Sequence, residues 1–297
     1  MRVAFNAAFD DGVRNINNAS AALAEAQRQL SSGRRIDSPS DDPLGTMTAI
    51  SEHATLARVD AYSSAAGDAY SRLALADTVM SDIVTQLTAA QSSALSARGS
   101  NITAAQRQAI ANEILAIRDA IFSDINVQLQ GAYLFSGSNV LAAPYTRVGP
   151  GFSAYQGDAT AARIDVSNGR DVAATFDGQE ILQGSDPQHV LDALTDLAAS
   201  ILAADPVGMA NGVDAITRAF DRATLAQSRI GNDLRSLDDV RMQLVSVRQT
   251  AVSRLSKVED ADLAEASARL AQSETAYRAA LSAVANTLKL SLLDFLK

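Results

Sequence analysis

The sequence predicts a mainly α fold: an elongated bundle of long helices, with paired N- and C-terminal coiled-coil helices and a small β-rich insertion in the middle. Three observations carry this expectation. The six prolines fall at 39, 43, 144, 150, 187 and 206, and ten of the sixteen glycines lie between Gly131 and Gly212. Two long unpunctuated arms therefore flank a turn-rich centre. Large apolar residues recur every seven positions near both ends, the repeat of helices that pack along a seam. Finally, the chain is 47% apolar with only 5% aromatics and no tryptophan. Ala, Leu, Ile and Val in that mixture suit close helix packing, and 297 residues suffice to bury a core.

The first helix carries Phe9, Ile16, Leu23 and Leu30 on one row of sevens and Phe5, Gly12, Ala19 and Ala26 on another, and Ser31-Ser32-Gly33 marks its end. A second helix begins near Pro43, because the Asp42 carboxylate can cap free amides while proline fits the first turn, where no amide hydrogen is needed. It runs to about Arg98, roughly 80 Å, with Gly67 its weakest point. Thr103 and Gln106 form a capping box that opens a third helix with Ile110, Ile114, Ile117 and Ile121 along it, expected to stop at Gly131.

Between Tyr145 and Leu182 the turn residues recur, and Asn168-Gly169 separates two strand-like runs as in a hairpin. Helical patterning returns in pieces after Pro187, and Ile230, Leu237, Leu244 and Ala251 repeat by seven. Ser256 and Glu259 match a second capping box and so predict the start of a last helix, with Glu259, Asp260 and Asp262 as acids of its first turn. On that helix Leu263, Leu270, Tyr277 and Val284 form one row, and Leu281, Leu288 and Phe295 a second.

The net charge of −9 and the scattering of 22 arginines and three lysines argue against nucleic-acid binding, which relies on clustered cations. Without cysteine there is no disulfide and no thiolate chemistry. The opening MRVAFNAAFDDG has an acidic pair where a secretory signal needs an apolar run, so no cleaved signal peptide is expected, and no stretch is apolar enough to span a membrane.

Catalytic chemistry finds no foothold. Nucleotide-binding glycine motifs are absent, Gly149-Pro150-Gly151 reading as a turn only. His53 and His189 have no companion at metal-ligand spacing and read as lone surface histidines, so no metal and no cofactor is expected. Asp41-Asp42 reads as a structural loop ahead of Pro43, with Asp42 a cap and Asp41 solvated, rather than as paired catalytic carboxylates. The expectation is a protein that is not an enzyme.

An apolar stripe must be covered, and the last one continues through Leu288 and Leu292 to Phe295. Six or seven bare aliphatic side chains forgo on the order of 10 kcal/mol of burial, comparable to the stability of a domain. The two ends can cover each other within one chain, or neighbouring copies can cover them. The pattern itself favours the ends covering each other within one chain, with coverage by neighbouring copies as the alternative.

Three segments carry a resemblance. Leu30-Ser31-Ser32-Gly33-Arg34-Arg35-Ile36-Asp37-Ser38-Pro39-Ser40-Asp41-Asp42-Pro43 is similar to the loop after the first helix of the bacterial flagellin superfamily. Ser253 to Asp262 is similar to the stretch before that family's last helix, and Ser291 to Leu296 to its closing residues. Within the superfamily, the proline-flanked Asp pair, Met1-Arg2-Val3 and the run Gly131 to Gly137 resemble the hook-filament junction branch of the hook-associated proteins.

The resemblance implies a structural subunit of the bacterial flagellum, exported through the type III apparatus without a cleaved signal and located outside the cell. Its partners would be further copies of itself, other hook-associated proteins, flagellin, and an export chaperone on the C-terminal helix; nucleic acid and membrane are not expected. The implied polymerisation residues are Phe5, Phe9, Ile16, Leu23, Leu30, Leu263, Leu270, Tyr277, Val284, Leu288, Leu292 and Phe295, with Asp41, Asp42 and Pro43 shaping the loop. The corresponding division is a terminal helix pair from residues 1–44 and 256–297, a helical rod from 45–137 and 187–255, and a β-rich insertion at 138–186. A filament flagellin or a soluble helical adaptor is the alternative.

Overall fold

The computed structural model describes residues 2–99 and 101–295, and side chains over 9–99 and 101–286. Seven helices occur among them: α1 (Arg2–Ser32), α2 (Pro43–Ser96), α3 (Ala104–Ile125), α4 (Gly178–Leu182), α5 (Val190–Ala203), α6 (Pro206–Glu259) and α7 (Leu263–Phe295). Three two-stranded antiparallel sheets lie between α3 and α4: β1 (Gln128–Leu129) with β2 (Ala132–Tyr133), β3 (Arg147–Val148) with β4 (Gly151–Phe152), and β5 (Arg163–Ser167) with β6 (Arg170–Ala173). The mainly α class with a small β insertion is thus the observed one.

Two compact units divide these elements. One combines residues 1–59 with 246–297; the other is 60–245. α2 contributes its first turns to the former and the remainder to the latter, and α6 contributes its last turns to the former and the remainder to the latter.

The unit formed by 60–245 is held by a seam on α2 in which Ala66, Ala69, Leu73, Ala76, Met80, Ile83, Leu87, Ala90 and Ala94 are buried. Their alternating spacing of three and four is a coiled-coil repeat, with alanines letting neighbouring backbones approach closely. α2 continues unbroken through Gly67, the predicted weak point. On α6 the buried row Ile216, Ala223, Ile230, Leu237 and Leu244 extends the predicted repeat of sevens toward the N-terminus. α3 packs against α5, burying Ile114, Ile121 and Ile125 of one and Leu191, Leu194 and Leu197 of the other. The capping box of α3 forms as expected, with Gln106 N donating to Thr103 Oγ1 at 3.3 Å and Thr103 N to Gln106 Oε1 at 2.8 Å.

α3 ends at Ile125 rather than at Gly131. Asn126 explains the early stop: its Nδ2 donates back to the Phe122 carbonyl at 2.9 Å while its Oδ1 accepts from Tyr145 N at 3.2 Å, tying the helix end to the insertion. Gln130 and Gly131 then take consecutive left-handed conformations, φ 54° and 80°, and join β1 to β2. Gly131 is a hairpin turn, not a helix stop. The predicted Asn168-Gly169 hairpin is present as β5–β6, with Gly169 alone of the pair at positive φ.

His189 is a correction. It is 5% exposed and not a surface histidine. Its ring meets those of Tyr145 at 5.1 Å and Phe152 at 6.3 Å, and its Nδ1 accepts from Asp192 N at 3.3 Å, capping α5. Burial pushes its pKa below the ordinary value against the opposing pull of Asp192.

Candidate assembly interface

Within the unit of 1–59 and 246–297, α1 packs along α7. Among the apolar positions of α1, Gly12, Ile16, Ala19, Leu23, Ala26 and Leu30 are the less exposed, so the two predicted rows merge into one seam that alternates large and small side chains. The facing positions of α7 are Ala266, Leu270, Ser273, Tyr277, Ala280 and Val284. Contact is close at Gly12, where an added Cβ would lie 2.7 Å from Val284 Cγ2. Only glycine leaves the two helices this close.

The seam is incompletely covered. Ile16, Leu23, Leu30, Leu270, Tyr277 and Val284 are half-buried, whereas Phe9 is 39% exposed and Leu263 is open. Leu281, first of the second row, lies one position beyond the seam and is 43% exposed. Phe5, Leu288, Leu292 and Phe295 lie outside the described side chains.

The two segments quoted for their resemblance meet through their main chains. Arg34 and Asp260 form an antiparallel bridge, flanked by Arg35 N donating to the Glu259 carbonyl at 2.6 Å and Ala261 N to the Gly33 carbonyl at 2.9 Å. The Arg35 guanidinium adds a bond to the Val258 carbonyl at 2.8 Å. Glu259 receives His53 Nε2 at 2.8 Å and lies 3.9 Å from the Arg34 guanidinium, while Arg254 and Glu52 approach to 3.5 Å.

This joint overturns one expected helix start. Ser256 and Glu259 are the last turn of α6, not a capping box, and Glu259 and Asp260 are not first-turn acids of the final helix. Asp262 caps α7 instead, its Oδ1 accepting from Ala264 N at 2.9 Å and Glu265 N at 3.2 Å. The residues between the two helices stay extended because they pair with the strand-like residues after Gly33, which closes α1 at φ 68°.

The loop preceding α2 is ordered by its acids. Asp42 Oδ1 accepts from Gly45 N at 2.9 Å, the expected cap, and this bond together with Arg35 at 3.3 Å holds its carboxyl below the usual range. Asp41 is more than a solvated residue, because its Oδ2 accepts from Ser38 N at 2.8 Å and Asp37 N at 3.2 Å. Pro43 occupies the first position of α2, and Ile36 packs over Gly45, where an added Cβ would come within 2.5 Å of Ile36 Cδ1.

The terminal helices are thus joined by main-chain bonds and share a half-covered apolar seam. Residues 5–140 match the bacterial flagellin N-terminal helical region. The chain is similar to flagellar hook-associated protein 3 of Salmonella typhimurium, 25% identical over 214 residues that cover 68% of this chain and 67% of the relative. The same protein of Escherichia coli is 26% identical over 147 residues, 49% of this chain and 46% of that one. In fold the chain is similar to a flagellar hook-associated protein from Vibrio parahaemolyticus, with a TM-score of 0.69 and 20% identity over 74% of this chain and all of the other.

Proposed function

We propose that this chain is a structural subunit of the bacterial flagellum that joins hook to filament and assembles through its terminal helices. The carrying observation is the α1–α7 pair, which is tied by main-chain bonds yet leaves Phe9 of α1, and Leu281 beside the seam on α7, open to a neighbour. Burying the part of each that is still exposed favours association by roughly 1 kcal/mol. The relatives' name, flagellar hook-associated protein 3, supports the junction over the filament itself.

In this reading residues 1–44 and 256–297 form the polymerising layer, 45–137 with 187–255 the helical rod, and 138–186 an outward insertion. Phe5, Leu288, Leu292 and Phe295 are counted in this reading as further polymerisation residues. Export follows the type III route without signal cleavage, with a chaperone covering the C-terminal helix beforehand. The role is mechanical, so no catalytic group is assigned.

Deleting the gene tests the assignment. Cells that keep hooks, lose filaments and shed flagellin into the medium support a junction subunit; merely shortened or altered filaments indicate a flagellin instead. Phe9→Asp is expected to abolish incorporation while leaving the circular dichroism spectrum native, and normal incorporation of that variant argues against the terminal seam.

A further inference from the structure

Two Asn-Gly pairs occur in the sequence, Asn168-Gly169 and Asn211-Gly212. Asparagine is a chemically labile side chain. A following glycine exposes that lability, because no Cβ shields the backbone nitrogen that attacks the side-chain carbonyl. The two pairs are alike in sequence and opposite in structure.

Asn168 and Gly169 are the exposed tip of the β5–β6 hairpin, beyond the last ladder pair, Ser167 with Arg170. Gly169 has φ 74°, and open space surrounds the place where a Cβ would stand. Asn211 and Gly212 instead lie inside α6, more than one turn past Pro206. There the Gly212 amide is held in the i→i−4 ladder of the helix. Gly212 is also buried against α5, where an added Cβ would lie 2.9 Å from Leu197 Cβ. Turning the Gly212 nitrogen onto the Asn211 side chain would break the helix and this packing together, whereas the hairpin tip turns without disturbing any pair.

We propose that Asn168 is a site of spontaneous covalent modification by intramolecular deamidation, with water as the co-reactant, and that the fold protects Asn211. The Gly169 nitrogen gives its proton to solvent hydroxide and bonds to Cγ of Asn168. The Cγ–Nδ2 bond breaks, and ammonia leaves after taking a proton from water, which regenerates the hydroxide. Water then opens the cyclic imide at either carbonyl. Cleavage of the new Cγ–N bond gives aspartate; cleavage of the original peptide C–N bond gives iso-aspartate, whose main chain runs through Cβ and Cγ. Both products add a negative charge to the hairpin. Iso-aspartate also lengthens the chain inside a two-residue turn, so the Ser167–Arg170 pairing and the bond from the Arg170 guanidinium to Ser236 Oγ on α6 are lost. This modification is independent of the assembly role.

The test incubates the folded full chain in mildly alkaline buffer, beside a sample unfolded in urea, and follows the tryptic peptides 164–170 and 171–218 by mass spectrometry and by labelling with isoaspartyl methyltransferase. In the folded chain the peptide of Asn168 is expected to gain the mass of amide-to-carboxyl exchange and to accept the methyl label. Asn211 should lag by roughly tenfold or more, because its reaction waits for local opening of α6. In urea the two sites should convert at similar rates. An Asn168 amide that survives in the folded chain overturns the proposal, as does an Asn211 that converts as fast as Asn168 there, or a lag of Asn211 that persists undiminished in urea.

Discussion

The amide of Arg35 donates to the carbonyl of Glu259 at 2.6 Å, closing a short antiparallel bridge between segments more than two hundred residues apart in sequence. Through this bridge the chain that has just left α1 is fastened to the chain about to enter α7. Both helices therefore start their shared seam from a common, hydrogen-bonded base.

Gly33 governs that base, because it sits at φ 68° and offers its carbonyl to Ala261 N. A β-branched residue in this conformation costs about 1–2 kcal/mol. Gly33→Val is expected to speed hydrogen exchange at Arg35 and Ala261 several-fold over wild type. Unchanged protection at both amides would falsify the account of the joint.

Gly12→Leu sets two effects against each other. Helix propensity favours leucine by about 0.8–1 kcal/mol, but the added side chain collides with Val284. If packing decides, the variant loses protection of α1 against limited proteolysis, and Val284→Ala restores part of it. A more resistant single variant means that α1 and α7 do not pack as described.

His189 makes the unit of 60–245 acid-sensitive. Its pKa is lowered in the folded state, so below about 6.5 the unfolded chain binds the proton first and folding stability falls as pH falls. Protonation also removes the Nδ1 lone pair that caps α5. His189→Asn keeps a capping side chain without the titration. Melting temperatures of wild type should drop between pH 7.5 and 5.5 by more than those of the variant; parallel curves would exclude this role.

Phe135, just ahead of the insertion, is fully buried and meets the Phe176 ring at 5.8 Å in a tilted arrangement. Phe135→Ala is expected to cost about 3–5 kcal/mol, against about 1 kcal/mol for Thr103→Ala, which removes only a helix cap. Urea denaturation of both variants gives the ratio, and equal losses would place Phe135 outside the core.

Elements defined by local chemistry were legible in the sequence. The cap of Asp42 before Pro43, the Thr103–Gln106 box, the Gly33 stop and the Asn168-Gly169 hairpin each depend on atoms within a few residues of one another. The α2 seam from Ala66 to Ala94 was missed although its spacing of three and four is regular, because most of its members are alanines that hydrophobic size does not single out. The β1–β2 hairpin was hidden by a Gln-Gly turn, whose first residue is not one that usually takes a left-handed conformation.

By itself the sequence determined a mainly α, cysteine-free chain with seams of period seven at both ends. Only the tertiary structure decided which half-seams face each other, that Ser256 and Glu259 stay inside α6, and that His189 is buried rather than wet. The physical reason is range. Caps and turns are settled by bonds between near neighbours. Covering a seam, ending α6 at Glu259 and drying an imidazole each require a partner supplied from a distant part of the chain.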